Sequence, residues 1–174
     1  MKILLYGGSF DPPHNGHLNN LRAAAACVRP DRVVVMPAGL SPFKQHTAAP
    51  AALRLEMCGC FRQLAQGEEN PGAILYLAIG SDMLLSFDGW HRWQDILRLA
   101  HLVVTSRNAG DAPELCAKAR QLDPAGQRIL FAPVTALPMA SSALRQRLAA
   151  GEDCAEELPE AVRAVIRREH LYQT

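Results

Sequence analysis

Short apolar runs alternate with stretches of helical spacing along this chain. Ile3-Leu4-Leu5-Tyr6, Val33-Val34-Val35-Met36, Ile74 to Ile79, Leu102-Val103-Val104 and Ile129-Leu130-Phe131 each read as a buried strand. Between them, Leu18, Leu21 and the alanines 23–26 predict a helix, and Leu53, Met57, Phe61 and Leu64 place apolar residues at helical spacing over 51–66. Further helices are predicted over 90–99, 113–122, 141–150 and 159–169. Strands that alternate with helices predict an α/β fold, a doubly wound, Rossmann-like parallel sheet with helices on both faces. Residues 1–174 read as a single domain, with no repeat, linker or low-complexity tract. Ligands in such folds bind beyond the carboxyl ends of the strands. The loops 7–17, 37–46, 80–92, 105–111 and 132–142 all leave from such ends.

Composition removes several function classes. Eighteen Lys and Arg stand against 17 Asp and Glu, so no basic surface for nucleic acid is expected. No apolar run is long enough to span a bilayer. The first apolar run is short and lacks a cleavage-type end, which favours the cytoplasm. Five cysteines at irregular spacing make no disulfide framework, and they read as buried and reduced. Cys58 and Cys60 lie two apart, off a common helical face, with no second pair to complete a zinc site. The oligomeric state is not set by these features, and a homo-oligomer stays open.

Chemistry concentrates in the loops. Gly7-Gly8-Ser9-Phe10-Asp11-Pro12-Pro13-His14-Asn15-Gly16-His17 joins the first strand to the first helix. Exposed backbone N–H groups, a helix start and two imidazoles meet there, which suits phosphate oxygens. Two surface histidines or a pair of metal ligands are the other readings, but a third ligand at supporting spacing is missing, and no metal site is expected. Lys44 stands in a proline-held loop after the second strand. Gly80 lets the backbone come close to a ligand, and Asp82 two residues on either accepts from ribose hydroxyls or caps a helix. The Trp90 and Trp93 rings offer faces that stack on a flat cationic ring or pack in the core. Arg92 is a surface charge or a substrate contact. Ser141, Ser142 and Arg145 open a late helix, where hydroxyls, N–H groups and a guanidinium grip phosphate or simply cap. In Arg54-Leu55-Glu56-Met57, Leu55 and Met57 are expected to pack, and Arg54 and Glu56 to orient helices.

The string Gly-Gly-Ser-Phe-Asp-Pro-Pro-His-x-Gly-His resembles the first signature of the His-x-Gly-His nucleotidylyltransferases. Within them the chain is most similar to the bacterial nicotinate mononucleotide adenylyltransferases, from Lys2 to Tyr172. Pro42-Phe43-Lys44, Arg54 to Met57, Gly80-x-Asp82, Trp90-x-x-Trp93, Ser141-Ser142-x-x-Arg145 and the ending Leu158-Pro159 to Tyr172 carry the rest of the likeness. The resemblance implies adenylyl transfer from ATP, with Mg²⁺ arriving on the nucleotide, to a mononucleotide whose phosphate attacks the α-phosphorus in line. His14, His17, Lys44 and Arg145 would carry catalysis. Gly8, Ser9, Phe10, Gly16, Gly80, Asp82, Ser141 and Ser142 would bind ATP, and Trp90 and Arg92 the second substrate. An anionic nucleophile needs no general base, so positioning and charge stabilisation remain.

Three departures stand out. Phe43 occupies a position that many members fill with histidine, and Ala140 replaces the first serine of the late motif. The connection 58–79 is short and lacks the family's Ser-Tyr-Thr-x-Asp-Thr run, which helps hold the nicotinate carboxylate. A different phosphorylated acceptor, or a nucleotide-binding paralogue with little activity, therefore stays open beside the first reading.

Overall fold

The computed structural model describes residues 1–39, 48–62, 64, 72–106, 111–135 and 137–173. Five strands, β1 (Lys2–Gly8), β2 (Arg32–Pro37), β3 (Ile74–Gly80), β4 (Ala100–Thr105) and β5 (Ile129–Ala132), form one parallel sheet in the order β2-β1-β3-β4-β5. Helices α1 (Asn15–Val28), α2 (Ala51–Met57), α3 (Ser81–Leu85), α4 (Trp93–Leu99), α5 (Ala112–Leu122), α6 (Ser141–Ala149) and α7 (Glu160–Arg168) flank it. Register is continuous from Lys2↔Ile74 to Tyr6↔Ala78, and from Leu75↔Ala100 to Gly80↔Thr105. The winding direction reverses at β1, and in open α/β sheets that reversal marks where ligands bind.

The chain divides into two compact units. One comprises Met1–Tyr6, Asn20–Val34 and Gln66–Ala136. Its core is Ile79, Leu84, Leu97, Leu102, Val104, Leu115, Leu122 and Ile129, from β3, β4, β5 and the helices between them, closed around the fully buried Phe87. In the same unit Leu21, Ala24 and Val28, spaced three and four apart on α1, are buried, while Ala26 and Cys27 face solvent.

The other unit comprises Gly7–Asn19, Val35–Ala65 and Leu137–Thr174. Met57 of α2, Leu144 and Leu148 of α6, and Val162, Val165 and Ile166 of α7 make its core with Leu158. Arg168 on α7 pairs with Glu56 on α2 at 2.8 Å, and this hydrogen bond holds the Glu56 carboxyl below its ordinary range. No helix among the described residues is long and apolar enough to cross a membrane.

Several sequence expectations are corrected. The helix expected over 51–66 stops at Met57 and tightens into a 3-10 turn, Cys58–Phe61. Leu55 does not pack: it is 63% exposed, because the apolar stripe of α2 runs through Met57. Cys27 and Cys116 are exposed, and only Cys58 and Cys154 are fully buried. The helix expected from residue 90 begins at Trp93.

Candidate active site

β1 ends in Gly7-Gly8, and the chain then folds tightly onto its own strand. A Cβ at Gly8 would lie 2.8 Å from Cζ of Phe10, so a side chain is excluded there. Phe10 itself is buried at φ 47, a left-handed conformation that costs a non-glycine residue about 1–2 kcal/mol. Such strain gathers at functional loops and persists where the surroundings over-determine it. Here the ring is fixed by Phe61 at 5.3 Å and meets the His17 imidazole edge-on at 5.1 Å.

His14 opens α1, since its carbonyl accepts the N–H groups of His17 at 2.9 Å and Leu18 at 3.3 Å. The His17 side chain returns the bond: its Nδ1 accepts the His14 backbone N–H at 3.2 Å. This is half of a capping box, with imidazole where glutamate usually stands. Because Nδ1 accepts, the neutral ring carries its proton on Nε2, which becomes a donor. The His14 and His17 rings lie 3.8 Å apart and tilted by 33°. Gly16 between them leaves little room: a Cβ there would fall 3.0 Å from the His14 ring and 3.4 Å from Met139, so the ring would have to give by a few tenths of an ångström. Asn15 ties the helix start to the 154–158 turn, donating its backbone N–H to the Glu157 carbonyl at 2.8 Å and its side-chain amide to the Glu156 carbonyl at 2.7 Å.

α6 joins the same loop. Ser141 Oγ donates to the Pro12 carbonyl at 3.0 Å, and Arg145 Nη1 to the Asp11 carbonyl at 2.7 Å. Ser142 stands exposed in the first turn of α6, one position after Ser141. Thus Gly8, Ser9, Phe10, His14, Gly16, His17, Ser141, Ser142 and Arg145 belong to one compact unit.

Three residues outside the expected set organise this unit. Arg54 is 1% exposed. Its Nη1 donates to the carbonyls of Ser9 at 2.8 Å and Ala38 at 2.6 Å, its Nη2 to Gly39 at 2.9 Å, and its Nε to Ala49 at 3.2 Å. It therefore fastens loops to one another, where the sequence suggested that it orients helices. Asp11, also buried, accepts the N–H groups of Ala48 at 2.8 Å and Ala49 at 3.1 Å and the Tyr172 hydroxyl at 2.8 Å. All three stand in strings that carry the family likeness, and Arg54 has the further signal of a charge among residues that pack.

Gly80, Asp82, Trp90 and Arg92 lie in the other unit, after β3. Gly80, in extended conformation, precedes α3, and Asp82 sits exposed in its first turn, so glycine and not aspartate holds the cap position. Trp90 follows a 3-10 turn, Phe87–Gly89, in extended backbone, with Phe87 against its ring at 5.2 Å. Its Nε1 is buried and finds no hydrogen-bond partner among the described residues. Arg92 caps α4 at φ 54 and pairs with Asp95 at 2.6 Å on the surface. Lys44 and Phe43 lie outside the described residues.

A Rossmann-like sheet whose first strand ends in glycine and feeds a histidine-bearing helix start defines a nucleotidyltransferase, and the profile of the cytidylyltransferase-like family matches residues 5–147. A protein of Laribacter hongkongensis, described as "Probable nicotinate-nucleotide adenylyltransferase", is 35% identical over 209 aligned positions, covering 99% of this chain and 94% of its own. One of Chlorobium phaeobacteroides with the same description is 31% identical, covering 99% and 100%. The chain belongs to the nicotinate-nucleotide adenylyltransferase family within the cytidylyltransferase-like proteins. The fold is also that of Plasmodium falciparum nicotinic acid mononucleotide adenylyltransferase complexed with NaAD, at a TM-score of 0.75 and 15% identity over 98% of this chain and 97% of that one. The 209 aligned positions exceed this chain's 174 residues, so the relative carries residues that this chain lacks.

Proposed function

We propose that the chain transfers the adenylyl group of ATP to nicotinate mononucleotide, releasing pyrophosphate and nicotinate adenine dinucleotide. The observation that carries the reading is the His17 capping bond, which turns Nε2 into a fixed donor at the mouth of a helix. The mononucleotide phosphate oxygen forms a bond to the α-phosphorus as the bond to the bridging oxygen of pyrophosphate breaks. His17 and the start of α1 stabilise charge on the transferring group, and His14 supports the ring from behind. Arg145, with the hydroxyls of Ser141 and Ser142, holds the outgoing phosphates, and Lys44 adds a further positive charge. Mg²⁺ enters as part of the substrate, MgATP. Gly8, Ser9, Phe10 and Gly16 shape the loop against the triphosphate, and Gly80 and Asp82 take the nucleotide's ribose. Trp90 stacks on the pyridine ring, with its buried Nε1–H available to an acceptor oxygen, and Arg92 serves the same substrate.

The test is product analysis with purified protein and MgATP, offered nicotinate mononucleotide, nicotinamide mononucleotide and phosphopantetheine in turn. Dinucleotide from nicotinate mononucleotide is expected. Transfer to phosphopantetheine alone would replace the acceptor. Binding of ATP with no transfer to any of the three would replace catalysis with nucleotide sensing.

A further inference from the structure

The proposed reaction gives no part to Tyr172, yet the end of the chain is bent to deliver it. His170 at φ 50 and Tyr172 at φ 62 are both left-handed, an unusual conformation for residues with side chains, met twice in three positions. Between them Leu171 packs on the core of α2, α6 and α7, and its N–H returns to the Ile166 carbonyl at 3.0 Å. The second reversal turns the phenol onto Asp11 Oδ1 at 2.8 Å. Asp11 is 2% exposed and lies within the loop of His14 and His17, and its carbonyl receives Arg145 Nη1 at 2.7 Å.

We infer that Tyr172 is a positioning residue for adenylyl transfer: its hydroxyl fixes Asp11, and Asp11 fixes the carbonyl on which the Arg145 guanidinium rests. The inference rests on the function proposed above. Among the described residues Oδ1 has two donors, the Tyr172 hydroxyl and the Ala49 N–H at 3.1 Å, and Oδ2 has the Ala48 N–H at 2.8 Å. Removing the hydroxyl takes from Oδ1 the shorter of these two bonds, so the carboxylate and the peptide behind it gain freedom to turn. Burial first, and the bond to Asp11 second, push ionisation of this phenol well above its ordinary range. The same burial and bond favour the protonated phenol, the form that donates to Asp11.

The experiment compares wild type with Tyr172→Phe, which keeps the ring and its packing. A displacement of about 1 Å at a catalytic group is worth up to about 100-fold in rate, and a fall of about tenfold in kcat is expected here. KM for the mononucleotide should stay unchanged and MgATP binding should weaken severalfold, with melting within a few degrees of wild type. Asp11→Asn supplies the second arm: combined with Tyr172→Phe it should cost little more than either change alone, because both act through one carboxylate. Wild-type kcat and MgATP affinity in Tyr172→Phe would overturn the inference, as would a loss explained wholly by fewer folded molecules. If wild type itself transfers nothing to nicotinate mononucleotide, the proposed function fails. MgATP titration of the same variant then still decides Tyr172, weaker binding supporting its role and equal binding ending it.

Discussion

Arg54→Met removes a buried guanidinium and keeps an unbranched stem in its place. Four hydrogen bonds disappear, to carbonyls of Ser9, Ala38, Gly39 and Ala49. Bonds from a charged donor are worth about 1.5–3 kcal/mol each, so the gross loss is about 6–12 kcal/mol. Two terms offset it. A buried ion no longer has to be desolvated, which returns several kcal/mol, and the half-exposed Ala38 and exposed Gly39 lie where water reaches their carbonyls. A net loss of about 3 kcal/mol follows, and for a chain of this size each kcal/mol lowers Tm by about 2–4 °C. The variant should therefore melt about 6–12 °C below wild type. Arg54→Lys keeps the charge but not the planar fork, and should recover less than half of that loss. Thermal unfolding followed by circular dichroism, at matched concentration and pH, gives both numbers. An Arg54→Met variant melting within about 2 °C of wild type would refute the clamp.

Other expected outcomes concern chemistry. His17→Ala should lower kcat by about 100- to 1000-fold, the usual cost of losing one donor to a transition state, while MgATP binding changes far less; steady-state rates beside titration calorimetry separate the two. Trp90→Ala should raise KM for the mononucleotide about tenfold through lost stacking, with MgATP affinity unchanged and Trp90→Phe in between. Burial pushes the thiols of Cys58 and Cys60 up from 9.0 to about 12. A raised value in the fold means that their stabilisation is complete below pH 9 and is lost as pH climbs toward 12. Urea unfolding from pH 8 to 12 should show that decline, and Cys58→Ala/Cys60→Ala should flatten it.

The strands were legible because a strand buried on both faces is an unbroken apolar run, and β3 is found almost residue for residue. Length was less legible for α2. Its apolar spacing continues to Leu64, but Gly59 and the 3-10 turn Cys58–Phe61 let Phe61 reach the core without a further α-helical turn. Asp88-Gly89 likewise placed Trp90 in extended backbone where its spacing suggested a helix. The histidine loop was legible as a string, since glycine, histidine and serine there are fixed by local geometry. Arg54 was not. A charged residue in an amphipathic helix reads as solvent-facing, and the four carbonyls that bury it come from segments up to 45 residues away. Tyr172 and Asp11, 161 positions apart, are hidden for the same reason.

The register of β3 has a consequence for the part of the short segment 58–79 that precedes the strand. That connection enters the sheet at the amino end of β3, where Ile74 stands opposite Lys2 and its N–H bonds the Met1 carbonyl at 2.8 Å. Gly80, which leads into the loop with Asp82, leaves from the other end, six residues on and about 20 Å away. A strand locked to both neighbours does not slip, because a one-residue slip would exchange the side chains packed on its two faces, sending Tyr76 and Ala78 to the side that Ile79 fills. Residues can thus be gained or lost ahead of Ile74 while the far end keeps its place. The strand works as an insulator, and length variation between members of the family has a region where it leaves the opposite loops undisturbed.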